Sequence, residues 1–436
     1  MQHRCFKVLT CFDKFKDSLK SRECGEAIAL AFQGAAQSQQ FQSQFMNIPL
    51  SDGGEGFLES IKQNHPNDYQ LEFFPVRHPL HSRRHELVPA PYYYKKHIHD
   101  NELNTQEHIY VLEMATVCGL EQLRTEERNP FETTTYPLGL LIKHILLKHN
   151  ENDNIHILLG IGGSCTNDAG IGCLSALGCI KDFVFLDNYN SNDNNNTDFQ
   201  DNLENSFVFY GKHLVHLADF TLDRNALPYR YRDLTIDIAC DVNNPLVGER
   251  GATFTFSKQK GVKSPQDREI LEKGMIRFAQ LVRDKTGVEI ADMPGAGAAG
   301  GISGGFYSIL HGKVELKKGI EMIGMSCQLE KHITDADIVF TGEGCYDDQS
   351  EGGKVVSWVS KLCQQYNKAC IICCGQKKKE TVPNENCLLL DLTSQFPMEK
   401  SMKETFSCLA QLTKEKLPLI FKHVDRVKER TQTNQF

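Results

Sequence analysis

A chain of 436 residues is too long for one simple hydrophobic core and points to about two or three domains. Its formal net charge is −8, from 48 Lys and Arg against 56 Asp and Glu, which excludes a basic field for nucleic acid. With 40% hydrophobic and 24% charged residues the composition is that of a globular domain protein, and no apolar run reaches the length needed to span a bilayer.

Met1–Phe6 passes straight into a strand-like run, so no signal peptide is expected. The sixteen cysteines sit mostly in apolar stretches, such as Cys173, Cys179, Cys240, Cys373 and Cys374. They read as reduced core residues of a cytoplasmic protein rather than a disulfide framework. Cys370 and Cys373 form a CxxC inside a strand-like run and read as a buried pair.

Lys7–Phe12 predicts a first strand, and Ser21–Gly34 a helix with Ala27, Ile28, Leu30 and Ala31 on its apolar face. The polar cluster Asp13–Lys16 lies where that strand hands over to the helix, the place where open α/β sheets gather ligands. Lys16 is a candidate phosphate contact. Ser51-Asp52-Gly53-Gly54-Glu55-Gly56 repeats the design ahead of a helix at Phe57–Lys62, and its carboxylates suit Mg²⁺ or the orientation of a nucleophile. Residues 69–113 read as β-rich. His78, His81 and His85 match no metal-ligand spacing and read as loop histidines. Glu113 reads as a buried acid, and the threonine run Thr133–Thr135 precedes a helix at Leu138–Leu147, with Pro137 in its first turn.

The central stretch is Leu158–Gly172. An apolar strand, Ile155–Leu159, runs into Gly160, Gly162 and Gly163. The polar group Ser164-Cys165-Thr166-Asn167-Asp168 then reads as the start of a helix reaching Leu177. Strand, glycine turn and capped helix aim backbone N–H groups at an anion, while Asn167 and Asp168 add an amide and a carboxylate that a plain phosphate loop does not need. Residues 187–205 are asparagine-rich and read as a surface insertion.

A strand at Leu234–Cys240 leads into Asp241–Leu246, Ser257–Gly261 and a helix at Asp267–Lys285. Pro294–Gly305 holds six glycines in twelve residues, which suits close backbone approach to a ligand or close helix packing. It spells GxSxG and GxGxxG, but no strand abuts either motif, so both read as chance matches. Asp337–Phe340 predicts a strand, followed by Thr341–Gly344 and Asp347–Lys354. Ala369–Cys374 is a further strand, and a final helix spans Lys400–Val427. Five loops thus share one design, centred on Asp13–Lys16, Ser51–Glu55, Gly162–Asp168, Pro294–Gly301 and Glu343–Lys354. Their inventory of N–H cradles, lysines and carboxylates matches phosphoryl transfer.

These stretches, together with Arg128-Asn129-Pro130, Thr133–Tyr136 and Ala239–Leu246, resemble the type 1, bacterial-type glycerate kinase family, in family order and over most of the chain from near residue 7. The resemblance implies ATP-dependent phosphorylation of D-glycerate with Mg²⁺, most often to 2-phosphoglycerate. It also implies an α/β fold of two domains around a cleft, with a Rossmann-like parallel-sheet domain at 1–65 and 288–436 and a second, α+β domain inserted at 66–287. The alternatives are 3-phosphoglycerate as product, a kinase for a related hydroxy acid, or a non-catalytic nucleotide or sugar-acid sensor. Neither nucleic acid nor a membrane is expected as a partner, and a homodimer is left open.

On this resemblance Asp168 is the catalytic base, with Lys16 and Asp347 also catalytic. Ser164, Asn167, Asp52 and Lys354 hold substrate. Gly295, Gly297, Gly300 and Gly301 line the nucleotide, and Glu343, Asp52 and Asp347 hold Mg²⁺. The chain departs from the family pattern at Cys345, where an arginine is usual, and at Leu140, Pro137 and Val356. These departures bear on substrate affinity more than on reaction class.

Overall fold

The computed structural model describes residues 4–15, 18–39, 41–51, 56–65, 67–98, 106–186, 207–346, 355–378 and 384–433. In chain order the strands among them are β1 (Arg4–Thr10), β2 (Phe41–Asn47), β3 (Gln70–Arg77), β4 (Leu87–Ile98), β5 (Gln106–Glu113), β6 (Asn154–Gly160) and β7 (Ile180–Phe185). They continue with β8 (Leu217–Leu222), β9 (Leu234–Ala239), β10 (Val314–Lys317), β11 (Ile338–Tyr346), β12 (Ala369–Lys377) and β13 (Cys387–Asp391). The chain divides into two compact units. One comprises Met1–Asp52, Glu59–Pro66 and Gly319–Phe436, the other Gly53–Leu58 and Asn67–Lys318.

The first unit is built on a five-stranded, all-parallel sheet of order β13-β12-β11-β1-β2. Its central strands are apolar runs because both faces are covered: Ile338, Val339 and Phe340 in β11 and Ala369–Cys374 in β12 are buried. The helices Ser21–Gln39 and Thr405–Thr433 supply Phe32, Leu409, Leu417 and Ile420 to this core. Phe32 meets Phe41, Phe45 and Phe340 edge-on. From β1 the chain crosses to β2 on one side, while β11, β12 and β13 step away on the other, so the strand order reverses between β1 and β11. In a doubly wound sheet that reversal opens a crevice at the carboxyl ends of the strands.

The second unit carries a six-stranded mixed sheet of order β10-β9-β6-β5-β4-β3. The strands β10, β9, β6 and β5 are parallel, and β4 and β3 add an antiparallel edge. The pair β7 and β8 is antiparallel and separate. Leu138, Leu141, Ile142 and Ile145 of the helix Tyr136–Leu146 pack with Ile157 and Leu159 of β6 and with Phe278 of the helix Pro265–Thr286.

Several expected boundaries move. Residues 288–318 belong to the second unit rather than the first. The physical reason is that Val314 of β10 pairs with Ile236 of β9, while Ile302, Phe306 and Ile309 are buried in that unit's core. The helix after the central strand begins only at Ile171, so Ser164–Asp168 is loop, not a first helical turn. The final helical region breaks at Glu404 into Met398–Lys403 and Thr405–Thr433. The asparagine-rich segment 187–205 lies outside the described residues.

Candidate active site

The loop after β6 is knotted to its neighbours by backbone bonds. Met114 N–H donates to the Gly160 carbonyl at 2.7 Å, Leu120 N–H to Gly163 at 2.9 Å, and Cys165 N–H to Cys118 at 2.8 Å. Thr133 Oγ1 donates to the Cys165 carbonyl at 3.0 Å. Ser164, Thr166, Asn167 and Asp168 are thereby held buried as polar groups. A buried polar group is costly unless it is paired, so the partners of each residue define what the loop can do.

Lys260 is the residue that sequence reasoning passed over. It is fully buried, and its ammonium donates to Ser164 Oγ at 2.9 Å and to the Thr166 carbonyl at 2.6 Å. Among the described residues no carboxylate forms an ion pair with it, and burial lowers its pKa from 10.5 to about 8. Because Ser164 Oγ accepts from Lys260, its own proton is free to donate. Gly261 carries φ +100°, and a Cβ there would lie 1.9 Å from the Arg128 carbonyl oxygen. That close approach seats the Lys260 turn beside Arg128, whose buried Nε has no hydrogen-bond partner among the described residues.

Asn167 is 0% exposed, yet among the described residues neither its amide nitrogen nor its oxygen has a hydrogen-bond partner. Thr166 Oγ1 is in the same condition. An unsatisfied buried amide costs about 1–3 kcal/mol, so these groups are open to a polar partner beyond the described residues.

Asp168 has the opposite condition. Its Oδ2 accepts from Thr135 N–H and Thr135 Oγ1, each at 2.8 Å, and from Gly172 N–H at 3.3 Å, while Oδ1 accepts from Gly170 N–H at 3.2 Å. Thr135 Oγ1 in turn accepts from Cys173 N–H at 2.9 Å. The carboxylate therefore ties the threonine run to the N-terminus of the helix Ile171–Ala176. Burial raises its pKa, against the lowering effect of these donors. A general base must reach the proton that it takes, and this carboxyl is fully buried and accepts from four donors of its own chain.

Each of the four glycines expected to line the nucleotide has protein where a Cβ would stand. A Cβ on Gly300 would lie 2.1 Å from the Thr166 carbonyl oxygen, and one on Gly297 2.1 Å from that of Pro245. On Gly301 it would meet Leu246 at 2.8 Å, and on Gly295 the Cys240 sulfur at 3.1 Å. Ala169 N–H donates to the Gly300 carbonyl at 3.0 Å. Gly300 and Gly301, expected to line a nucleotide with Gly295 and Gly297, let the segment approach the 166–169 loop, while Gly295 and Gly297 let it approach Cys240 and Pro245. Ser303 of the GxSxG match is buried and donates to the Gly295 carbonyl at 2.5 Å, so it is no exposed nucleophile.

Glu113 ends β5 and is buried. Its Oε1 accepts from Gly56 N–H at 2.9 Å and its Oε2 from Leu58 N–H at 3.1 Å, capping the helix Phe57–Asn64. It thus fixes Gly56 and the first turn of that helix. Gly160 sits beneath, where a Cβ would lie 2.9 Å from the Phe57 ring.

In the first unit, Asp13 follows the carboxyl end of β1, and Glu343 lies within β11, opposite Cys374 of β12. Asp13 N–H donates to the Gly342 carbonyl at 3.1 Å, so the two acids lie on neighbouring segments at the reversal point. Carboxylate oxygens are the donors that a hard cation such as Mg²⁺ takes, and the donor type here suits one. Lys16, Asp52, Asp347 and Lys354 lie outside the described residues. Cys370 and Cys373 are free and buried, and His78 is spent on Leu80 N–H and the Gln122 carbonyl. No helix among the described residues is long and apolar enough to cross a membrane.

A doubly wound parallel sheet with acids at its reversal point, and a second unit with a buried lysine and amide beside a glycine turn, define an α/β protein with the parts of a phosphotransferase. The model of the glycerate kinase family matches residues 8–424. Glycerate 2-kinase of Escherichia coli (strain K12) is 33% identical over 365 residues, covering 84% of each chain. A glycerate kinase of Bacillus cereus is 33% identical over 361 residues, 83% of each. A crystal structure described as glycerate kinase 2 of Salmonella typhimurium LT2 superposes with a TM-score of 0.68 at 27% identity, over 99% of this chain and 100% of that one. The chain belongs to the glycerate kinase family, and it is a kinase.

Proposed function

We propose that the chain phosphorylates D-glycerate with ATP and that its product is 2-phosphoglycerate. The observation that carries this reading is the likeness, over 84% of the chain, to a protein named glycerate 2-kinase. The P–O bond to ADP breaks, a P–O bond to the acid's hydroxyl oxygen forms, and that hydroxyl's proton leaves. Glycerate is held at the loop after β6, where the Asn167 amide has no partner among the described residues and the Ser164 hydroxyl is free to donate. Lys260 fixes that loop and supplies positive potential to an anionic substrate. Asp168 holds the loop's shape through Thr135 and the helix N-terminus.

Mg²⁺, when bound, would neutralise phosphate charge during transfer. Glu343 is the described residue proposed to hold it, with Asp52 and Asp347 as further ligands and Lys16 and Lys354 as phosphate contacts. A cytoplasmic location completes the proposal. The test is product analysis by NMR after incubation with ATP and D-glycerate. The 2-phospho isomer is expected. The 3-phospho isomer would overturn the regiochemistry, and absence of glycerate-dependent ADP release would overturn the activity in favour of a sensor.

A further inference from the structure

We propose that His108, His149 and Asp153 form a binding site for one divalent transition-metal ion of the zinc class, remote from the Glu113 and Ser164–Asp168 loops of the same unit. One ligand atom from each lies within 4.8 Å of the others. His108 stands near the start of β5, beside Ile155 of β6, and the other two residues flank the turn that leads into β6. Five residues separate His108 from Glu113 at the strand's carboxyl end, about 16 Å at 3.3 Å per residue. The site is therefore at the end of the sheet away from the Glu113 and Ser164–Asp168 loops.

Each imidazole already has one nitrogen engaged. Tyr94 OH lies 3.0 Å from His108 Nδ1, and Tyr110 OH lies 2.7 Å from His149 Nε2. That leaves His108 Nε2 and His149 Nδ1 to face an ion. A hydrogen bond on the outer nitrogen fixes ring orientation and tautomer, as it does in most metal-histidine sites. The His149 Nδ1 to Asp153 Oδ2 distance is 3.4 Å, close to the roughly 3.3 Å between donors around tetrahedral zinc. Asp153 is held in place by Asn150 N–H, which donates to Oδ2 at 3.0 Å. Burial lowers the pKa of both histidines.

Two imidazoles and one carboxylate with a fourth position open to water select zinc-like ions over Mg²⁺. Such an ion would clip the turn before β6 to β5. The opposing feature is positive charge, since Lys96 acts on His108 and Lys148 on His149.

The experiment titrates Co²⁺ into the full chain after chelator treatment and dialysis, followed by visible absorption, and then competes it out with Zn²⁺. One ion per chain with a nitrogen and oxygen ligand-field spectrum is expected, together with a rise in Tm. His108→Gln and Asp153→Asn should each lose this spectrum, and Tyr94→Phe should weaken affinity about 10-fold. Glycerate-dependent turnover at saturating Mg²⁺ should be the same in all of them. A thiolate-to-cobalt charge-transfer band would overturn the proposal by placing the ion on cysteine. Equal binding by wild type, His108→Gln and Asp153→Asn would overturn it too, as would no binding by wild type. Asp153→Asn keeps the turn's shape, so it reads the site if His108→Gln fails to fold.

Discussion

The Lys260 ammonium lies 2.9 Å from Ser164 Oγ inside the second unit, and among the described residues no carboxylate forms an ion pair with it. Ninety-six residues separate the two in sequence, and the contact is made by two loops that the fold brings together. Lysines are almost never fully buried unless paired, so this one marks a place where the chain carries an electrostatic cost for function.

That cost is measurable. The folded pKa is about 8 against an ordinary 10.5, so between those values the unfolded chain binds a proton that the folded chain does not. Stability from this group therefore rises with pH through the window of about 8 to 10.5, by about 3 kcal/mol in all. Urea midpoints of wild type and Lys260→Met at pH 7.5 and pH 10 read the effect. The variant should lack that increment, and kcat/KM for glycerate should fall at least about 10-fold. Parallel pH dependences in the two proteins would show that Lys260 is not the group responsible.

Asp168 and Thr135 should behave as one unit. Asp168→Ala leaves the N–H groups of Thr135, Gly170 and Gly172 without their acceptor, a loss of about 3 kcal/mol. Thr135→Val removes the shared hydroxyl, and the double variant should show a coupling of about 1–2 kcal/mol. Asp168→Asn distinguishes positioning from proton transfer. A base would lose about 10²–10⁴ in kcat with the fold intact. A positioning residue loses stability and activity together, which is the outcome expected. Full stability with a thousandfold loss of kcat would restore Asp168 as the base.

How much of this was legible follows from what each signal depends on. The parallel sheets show as apolar runs such as Ile338–Phe340, because burial on both faces needs no alternation. Ser164 and Asn167 stand out as polar residues straight after a buried strand and glycines. Lys260 does not, because it sits between Gln259 and Gly261, a step from exposed Lys258, and only tertiary packing buries one lysine and not the other. Gly261 was the available hint, as a glycine immediately after it. The glycine run was visible, but a missing Cβ does not say whether ligand or backbone occupies its place. The boundary at 287 fell short of Lys318 because β10 has only four residues, too few for a pattern.

The packing role of the glycine run is separable from ligand binding by two alanine substitutions. Gly300 has φ +74° and faces the Thr166 carbonyl, whereas Gly248 has φ +89° and nothing within 4 Å. Gly248→Ala should cost only the left-handed backbone strain, about 1 kcal/mol. Gly300→Ala adds a collision with backbone that cannot move aside cheaply, and it should cost at least about 3 kcal/mol. Denaturation midpoints measure both. If the two variants lose the same small amount of stability, the run is not a packing element.

Glu113 gives the last test, because one carboxylate serves two N–H groups with two oxygens. In Glu113→Gln one oxygen becomes an NH₂ that points a donor at a donor, so either Gly56 or Leu58 loses its acceptor at a buried position. The expected cost is about 1–2 kcal/mol, read from the urea midpoint. Glu113→Asp keeps the charge on a shorter arm that cannot serve both groups, and it should cost a similar amount. The loop ending at Gly56 carries Asp52, a proposed ligand of Mg²⁺, so both variants should also raise the Mg²⁺ concentration required for half-maximal turnover. A variant that loses stability while its Mg²⁺ dependence is unchanged would leave Glu113 as a helix cap and detach it from the site.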